Sequence, residues 1–152
     1  MSKLHDFTAT VRWTGNSGVG TKSYKSYTRD WSLQTPGKPA IACSNDPMLG
    51  GNPALYNPED MLLSALSSCH MLWFLHLASD AGLIVHSYED TPIGTGESLP
   101  DGTGRFVRAT LQPKIGLMPG SDTQLADDVH GDRARHDGHA FKKTRQRGIC
   151  EQ

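Results

Sequence analysis

Cysteine is scarce in this chain, and no two cysteines stand close together. Cys43, Cys69 and Cys150 are scattered over 152 positions, none in the short spacing of a metal-binding pair. That excludes a disulfide scaffold and a structural zinc site, and a reducing cytoplasm is the expected compartment. A surplus of one charge is missing too. The 15 Lys and Arg residues stand against 16 Asp and Glu, for a net charge of −1. Such balance argues against nucleic acid or an anionic membrane as the main partner. Met1 to Asp6 hold no apolar signal region. The apolar run Met61–Leu77 contains His70 and His76 and is marginal for a membrane span, so a buried soluble helix is expected. There is no internal repeat. At this length one domain with one hydrophobic core is expected.

What the chain does have is a well-started helix. Asn57 is a good N-cap, and Pro58 suits the first helical position because its missing N–H would be unpaired there. Glu59 and Asp60 place negative charge on the positive end of the helix dipole. From Leu66 through Met71, Leu72, Trp73, Phe74, Leu75 and Leu77 the segment is apolar on every side, which predicts burial all round. Gly82 ends it.

Before this helix, Phe7–Trp13 alternates with period two and predicts a strand. A Gly-rich turn leads to a second strand within Tyr24–Leu33, and Ala40–Cys43 is a short third. After the helix, Leu83–Ser98 and Arg105–Met118 predict two long strands joined by the turn at Pro100–Gly104, with Pro113 marking an edge or a bulge. Residues 1–118 thus form the expected domain core. Residues 119–152 form an atypical polar segment with little to bury, expected to be a flexible, poorly ordered tail, with a weakly amphipathic helix over Leu125–His136 as the alternative. Apolar periodicity stops abruptly after Met118, the pattern a shifted reading frame would leave.

Several motifs point nowhere. Gly15–Ser23 has the look of a phosphate-binding loop, but Thr21 separates Gly20 from Lys22 and a strand follows where a helix is needed. A hairpin turn is expected there. His130, His136 and His139 lie close in sequence without the spacing of a ligand set, and Lys142, Lys143, Arg145 and Arg147 read as a solvated charge run. No cofactor and no metal are expected. His70 and His76 fall on different faces of the helix and read as hydrogen-bonded core or interface residues.

Cys69 needs separate treatment. A reactive cysteine is a thiolate, stabilised by a nearby cation or a helix N-terminus. Cys69 lies about 18 Å from the helix start, too far for the dipole, so it requires an arginine from another segment. Without one it is an inert apolar residue.

Asn57-Pro58-Glu59, the step to Ser67-Ser68-Cys69-His70-Met71, and Ser87-Tyr88-Glu89-Asp90 resemble the OsmC/Ohr family, named for osmotically induced protein C and organic hydroperoxide resistance protein. The resemblance covers Asp6 to Met118. It implies an α+β fold with antiparallel sheets around a long buried central helix, built as an intertwined homodimer. It also implies a thiol peroxidase acting on organic hydroperoxides, with Cys69 as the peroxidatic cysteine, Glu59 near the helix start, and an early-strand arginine matched by Arg29, with Arg12 as fallback. Glu59 and Cys69 are about 15 Å apart along one helix, so only two helices packed antiparallel could bring them together. Peroxidatic members carry a resolving cysteine in a later helix. Here Arg135–Phe141 contains none, and Ala140-Phe141 stands where the pair would be. Turnover then requires an external thiol or a dihydrolipoyl reductant. The alternatives are a non-catalytic dimer binding a small hydrophobic ligand, and a fragment that does not fold stably.

Overall fold

The computed structural model describes residues 3–136 and 150–151. The chain packs as two compact units, Met1–Met61 and Leu62–Gln152.

In the first unit β1 (Thr10–Trp13), β2 (Trp31–Gln34) and β3 (Ile41–Cys43) form an antiparallel sheet in that order. Val11 pairs with Leu33, and Leu33 with Ile41. The expected hairpin is there, but its strands are shorter than the alternation predicts. Phe7 is almost fully exposed and Tyr24–Tyr27 belong to the connection, because no opposing layer within the unit covers an apolar strand face. The Gly-rich connection is a turn closed by polar contacts. Asn16 Oδ1 accepts from the N–H groups of Gly18 and Gly20, both 2.9 Å away.

What this unit buries is small and polar. Cys43 and Ser44 are both fully enclosed. Ser44 Oγ donates to Asp30 Oδ1 at 2.8 Å and accepts from the Asn52 N–H at 3.0 Å, while its carbonyl accepts from Trp31 Nε1 at 2.9 Å.

The predicted helix is α1, Pro58–Asp80. Its start is a reciprocal box. The Asp60 N–H donates to Asn57 Oδ1 at 2.8 Å, and the Asn57 N–H donates to Asp60 Oδ2 at 3.1 Å. Replacing Asn57 by alanine is expected to cost about 1 kcal/mol, read from urea denaturation of the full chain. At the other end Gly82 adopts φ +78°, which lets the Leu83 N–H reach the Ala78 carbonyl at 2.8 Å.

After α1 come β4 (Val85–Asp90), β5 (Ile93–Ser98), β6 (Gly104–Thr110) and β7 (Pro113–Leu117). The two long strands expected from the sequence are one long hairpin, broken in the middle. β5 pairs β6 and β4 pairs β7, with the interruption at Thr91-Pro92 opposite Leu111-Gln112. Pro92 cannot donate to a ladder. The Asp90 carboxylate takes over, accepting the Gln112 N–H at 2.6 Å. A two-residue strand β8 (Cys150–Glu151) lies parallel to β7.

Two expectations need correction. The first concerns α1, which is not buried all round within one chain. Only Phe74 and Ala78 are buried, whereas Leu62, Leu72 and Trp73 remain 41%, 63% and 42% exposed. By length and composition α1 could cross a membrane. Here it is a packing helix, tied to β4 by Ser67 Oγ donating to Asp90 Oδ2 at 2.6 Å and by His70 Nδ1 lying 2.8 Å from the Tyr88 hydroxyl.

The second concerns the start of the polar segment, which is not idle. Thr123–His136 is a helix, α2, begun by Asp122 Oδ1 accepting the Leu125 N–H at 3.0 Å. It lays Ala126, with Leu125 and Val129, on a core of Phe74, Ala78, Leu83, Ile115 and Leu117. These apolar residues are placed to meet that core although the segment around them is polar. His139, the Ala140-Phe141 pair and the basic run at 142–147 lie outside the described residues.

Candidate functional site

Cys69 is exposed. The 3.6-residue period explains why. Ser67, His70, Phe74 and Ala78 form the face of α1 turned to β4 and the core, and Cys69 projects from the opposite side. It shares that outer face with Leu62, Ala65, Leu72, Trp73 and His76, all exposed. The sulfur therefore sits midway along an apolar strip that is exposed among the described residues. Cys43 behaves differently, since burial pushes its thiol up and keeps it protonated.

Arg29 lies in the first unit, just ahead of β2. Its guanidinium carbon stacks 4.0 Å from the Tyr24 ring centre and 4.8 Å from that of Tyr27. Its N–H groups donate to the carbonyls of Tyr24 at 3.0 Å and Tyr27 at 3.2 Å. Among the described residues two of its five N–H donors are thereby used, and no carboxylate pairs with it. It borders a cleft of about 360 Å³ with Trp13, Tyr27, Trp31, Ser44 and Pro58. The fallback, Arg12, is an exposed residue inside β1.

Glu59 is exposed in the first turn of α1, and no ion pair joins it to Arg29 among the described residues. The first unit holds an arginine clamped by aromatic rings and a carboxylate at a helix start, and the thiol stands ten positions further along that helix.

Sequence reading missed the polar ties that orient the thiol. Ser67, His70, Tyr88 and Asp90 set the rotation of α1, and through it the direction of Cys69. Their residue types gave one usable signal. Polar groups inside an apolar helix need partners, and Tyr88 and Asp90, spaced two apart on a strand, share a face that can supply them. Burial and the nearby Asp90 charge both hold the Tyr88 hydroxyl well above its ordinary range, so it stays protonated. A second cleft, of about 250 Å³, opens beside these ties between Ser64, Ser68, Met71 and Pro92.

Comparison by sequence finds no matching family model and no matching curated protein. Comparison of folds is decisive. An OsmC-like protein of unknown function from Vibrio cholerae superposes with a TM-score of 0.81 at 22% identity, over 95% of this chain and 100% of that one. An organic hydroperoxide resistance protein from Elizabethkingia anophelis, crystallised with thiocyanate bound, gives 0.66 at 14% identity over 99% and 100%. The organic hydroperoxide resistance protein OhrB of Bacillus subtilis gives 0.53 at 14% identity over 93% and 98%. The protein is an α+β chain of small antiparallel sheets and two helices. Its fold is that of the OsmC-like and organic hydroperoxide resistance proteins.

Proposed function

We propose that this chain is a homodimeric thiol peroxidase of the OsmC/Ohr type that reduces organic hydroperoxides in the cytoplasm. The observation that carries the reading is the position of Cys69, an exposed thiol at the centre of an uncovered apolar helix face, in a fold shared with hydroperoxide resistance proteins. Two copies packed antiparallel along that face would bury Leu62, Leu72 and Trp73. They would also bring Glu59 of one chain towards Cys69 of the other, with Arg29 supplying the positive charge that the thiolate needs.

The thiolate sulfur attacks one oxygen of the peroxide bond. That bond breaks, the alcohol leaves with a proton, and Cys69 becomes a sulfenic acid, oxidised by two electrons. With no cysteine in 135–141, an external thiol condenses with the sulfenic acid and expels water. A second thiol, or the other arm of a dihydrolipoyl group, then releases Cys69 as a thiolate.

The assay is consumption of cumene hydroperoxide with dithiothreitol or dihydrolipoamide as reductant. Loss of peroxide dependent on Cys69 is the expected result, and a purified dimer that leaves cumene hydroperoxide intact with both reductants refutes the assignment.

The dimer has its own test. Leu72→Glu puts a charge on the outer face of α1 at a position already 63% exposed in one chain, so the fold of the single chain should tolerate it. Wild-type protein should sediment as a dimer and L72E as a monomer that no longer consumes peroxide. A monomeric wild type contradicts the proposal.

A second reading, a non-catalytic dimer that holds a small hydrophobic ligand, draws on the cleft walled by Trp13, Tyr27 and Trp31. It predicts ligand uptake that survives Cys69→Ser.

A further inference from the structure

We propose that α2 is an acid-released clasp, docked on the second unit while the His130 ring is neutral and let go when that ring takes up a proton. His130 follows Val129 on the inner side of α2, one turn beyond the fully buried Ala126. Its ring meets that of His70 on α1 with centroids 4.8 Å apart and planes 62° apart, and meets Phe74 at 6.1 Å. His130 Nε2 is buried and has no hydrogen-bond partner among the described residues. A neutral ring can keep its proton on Nδ1 and turn only a lone pair inward. A second proton must go to Nε2, where it creates a charged donor with nothing to receive it.

The surrounding groups do not offset that cost. α1 presents His70, whose Nδ1 is engaged with the Tyr88 hydroxyl, and Phe74. β4 presents Tyr88 and Asp90, and β7 adds only Ile115 and Leu117 to the core. On α2, among the described side chains, the nearby charge is Asp127. Asp127 and Asp90 favour a charged ring, but the Asp90 oxygens already accept from Ser67 and Gln112. Desolvation outweighs both carboxylates and holds the ring below its ordinary value of 6.5.

The described apolar anchors of α2, Leu125, Ala126 and Val129, lie in its first half, around the turn that carries His130. Because the docked ring binds a proton less readily than a released one, docking is fully favoured above the ordinary histidine value. It is lost as the pH falls through the depressed value. Release would uncover the inner face of α1, beside the Ser67–Asp90 and His70–Tyr88 ties, without touching the thiol side.

Hydrogen exchange of the full chain, corrected for intrinsic rates, tests this over the peptide Thr123–His130 near pH 7.5 and at about pH 5. Protection in α2 should fall roughly tenfold or more on acidification, while the core of α1 changes less. His130→Leu and His130→Phe should keep α2 protected at both values. An NMR titration should place the His130 midpoint below that of a free histidine. The proposal is overturned if wild-type α2 is equally protected at both pH values, if the ring titrates at or above the free value, or if both variants lose protection in acid as wild type does. Should neither variant dock at neutral pH, the wild-type exchange and the titration decide alone.

Discussion

Cys69→Ser is expected to abolish hydroperoxide reduction, a loss on the order of a thousandfold or more, with the fold intact. Serine differs from cysteine by one atom, and Cys69 is exposed, so the change is small for the fold of the single chain. What disappears is the sulfur that attacks the peroxide and accepts its oxygen atom, a step a hydroxyl does not perform. The same experiment separates the thiols. Dimedone trapping after one equivalent of cumene hydroperoxide should label the peptide containing Cys69. It should leave Cys43 untouched, because that thiol is enclosed and its pKa is raised. Label on Cys43, or undiminished turnover in the serine variant, would break the assignment at its centre.

Phe74→Ala should be the most damaging single change to stability. Phe74 is 1% exposed and sits in the core that joins α1, β7 and α2, with Ala78 of its own helix, Ile115 and Leu117 of β7, and Ala126 of α2. Its ring also meets those of Tyr88 and His130, each at 6.1 Å. Removing a buried phenylalanine costs about 3–5 kcal/mol in lost transfer energy and residual cavity. For a domain of ordinary stability that is a large share of the total, and the melting midpoint should fall on the order of 10 °C. Calorimetry checks it, and a shift of a degree or two would mean that the core lies elsewhere. Leu72→Ala, on the outer face of the same helix, should cost the single chain little.

The contrast between Phe74 and Leu72 shows where sequence reading succeeds and where it stops. Both are large, apolar and close together on a helix whose ends were legible. Asn57, Pro58 and Asp60 write its start within four residues, and Gly82 writes its finish. Cys69 was placed inside that helix by the same signals, while its candidacy as the reactive thiol came from family likeness. The rotation of that helix was not legible. A segment apolar on every side carries no amphipathic signal, so its own residues do not reveal which face is covered. The same holds for α2, where Leu125, Ala126 and Val129 are too few to stand out from a polar background, yet are placed to close a core that residues far back in the chain create.

Arg29 makes the point for the site. Its identity as the candidate cation came from family likeness, while the clamp that holds it, Tyr24 and Tyr27 with their carbonyls, depends on a turn folding back on itself. Caps, breakers and strand alternation act over a few residues, so element order and the location of the thiol could be read from neighbours in the chain. The covered face of α1, the bridging of a broken hairpin by Asp90 and the burial of His130 each require atoms distant in sequence to meet. Contact energies between such atoms exist only once the backbone has closed around them.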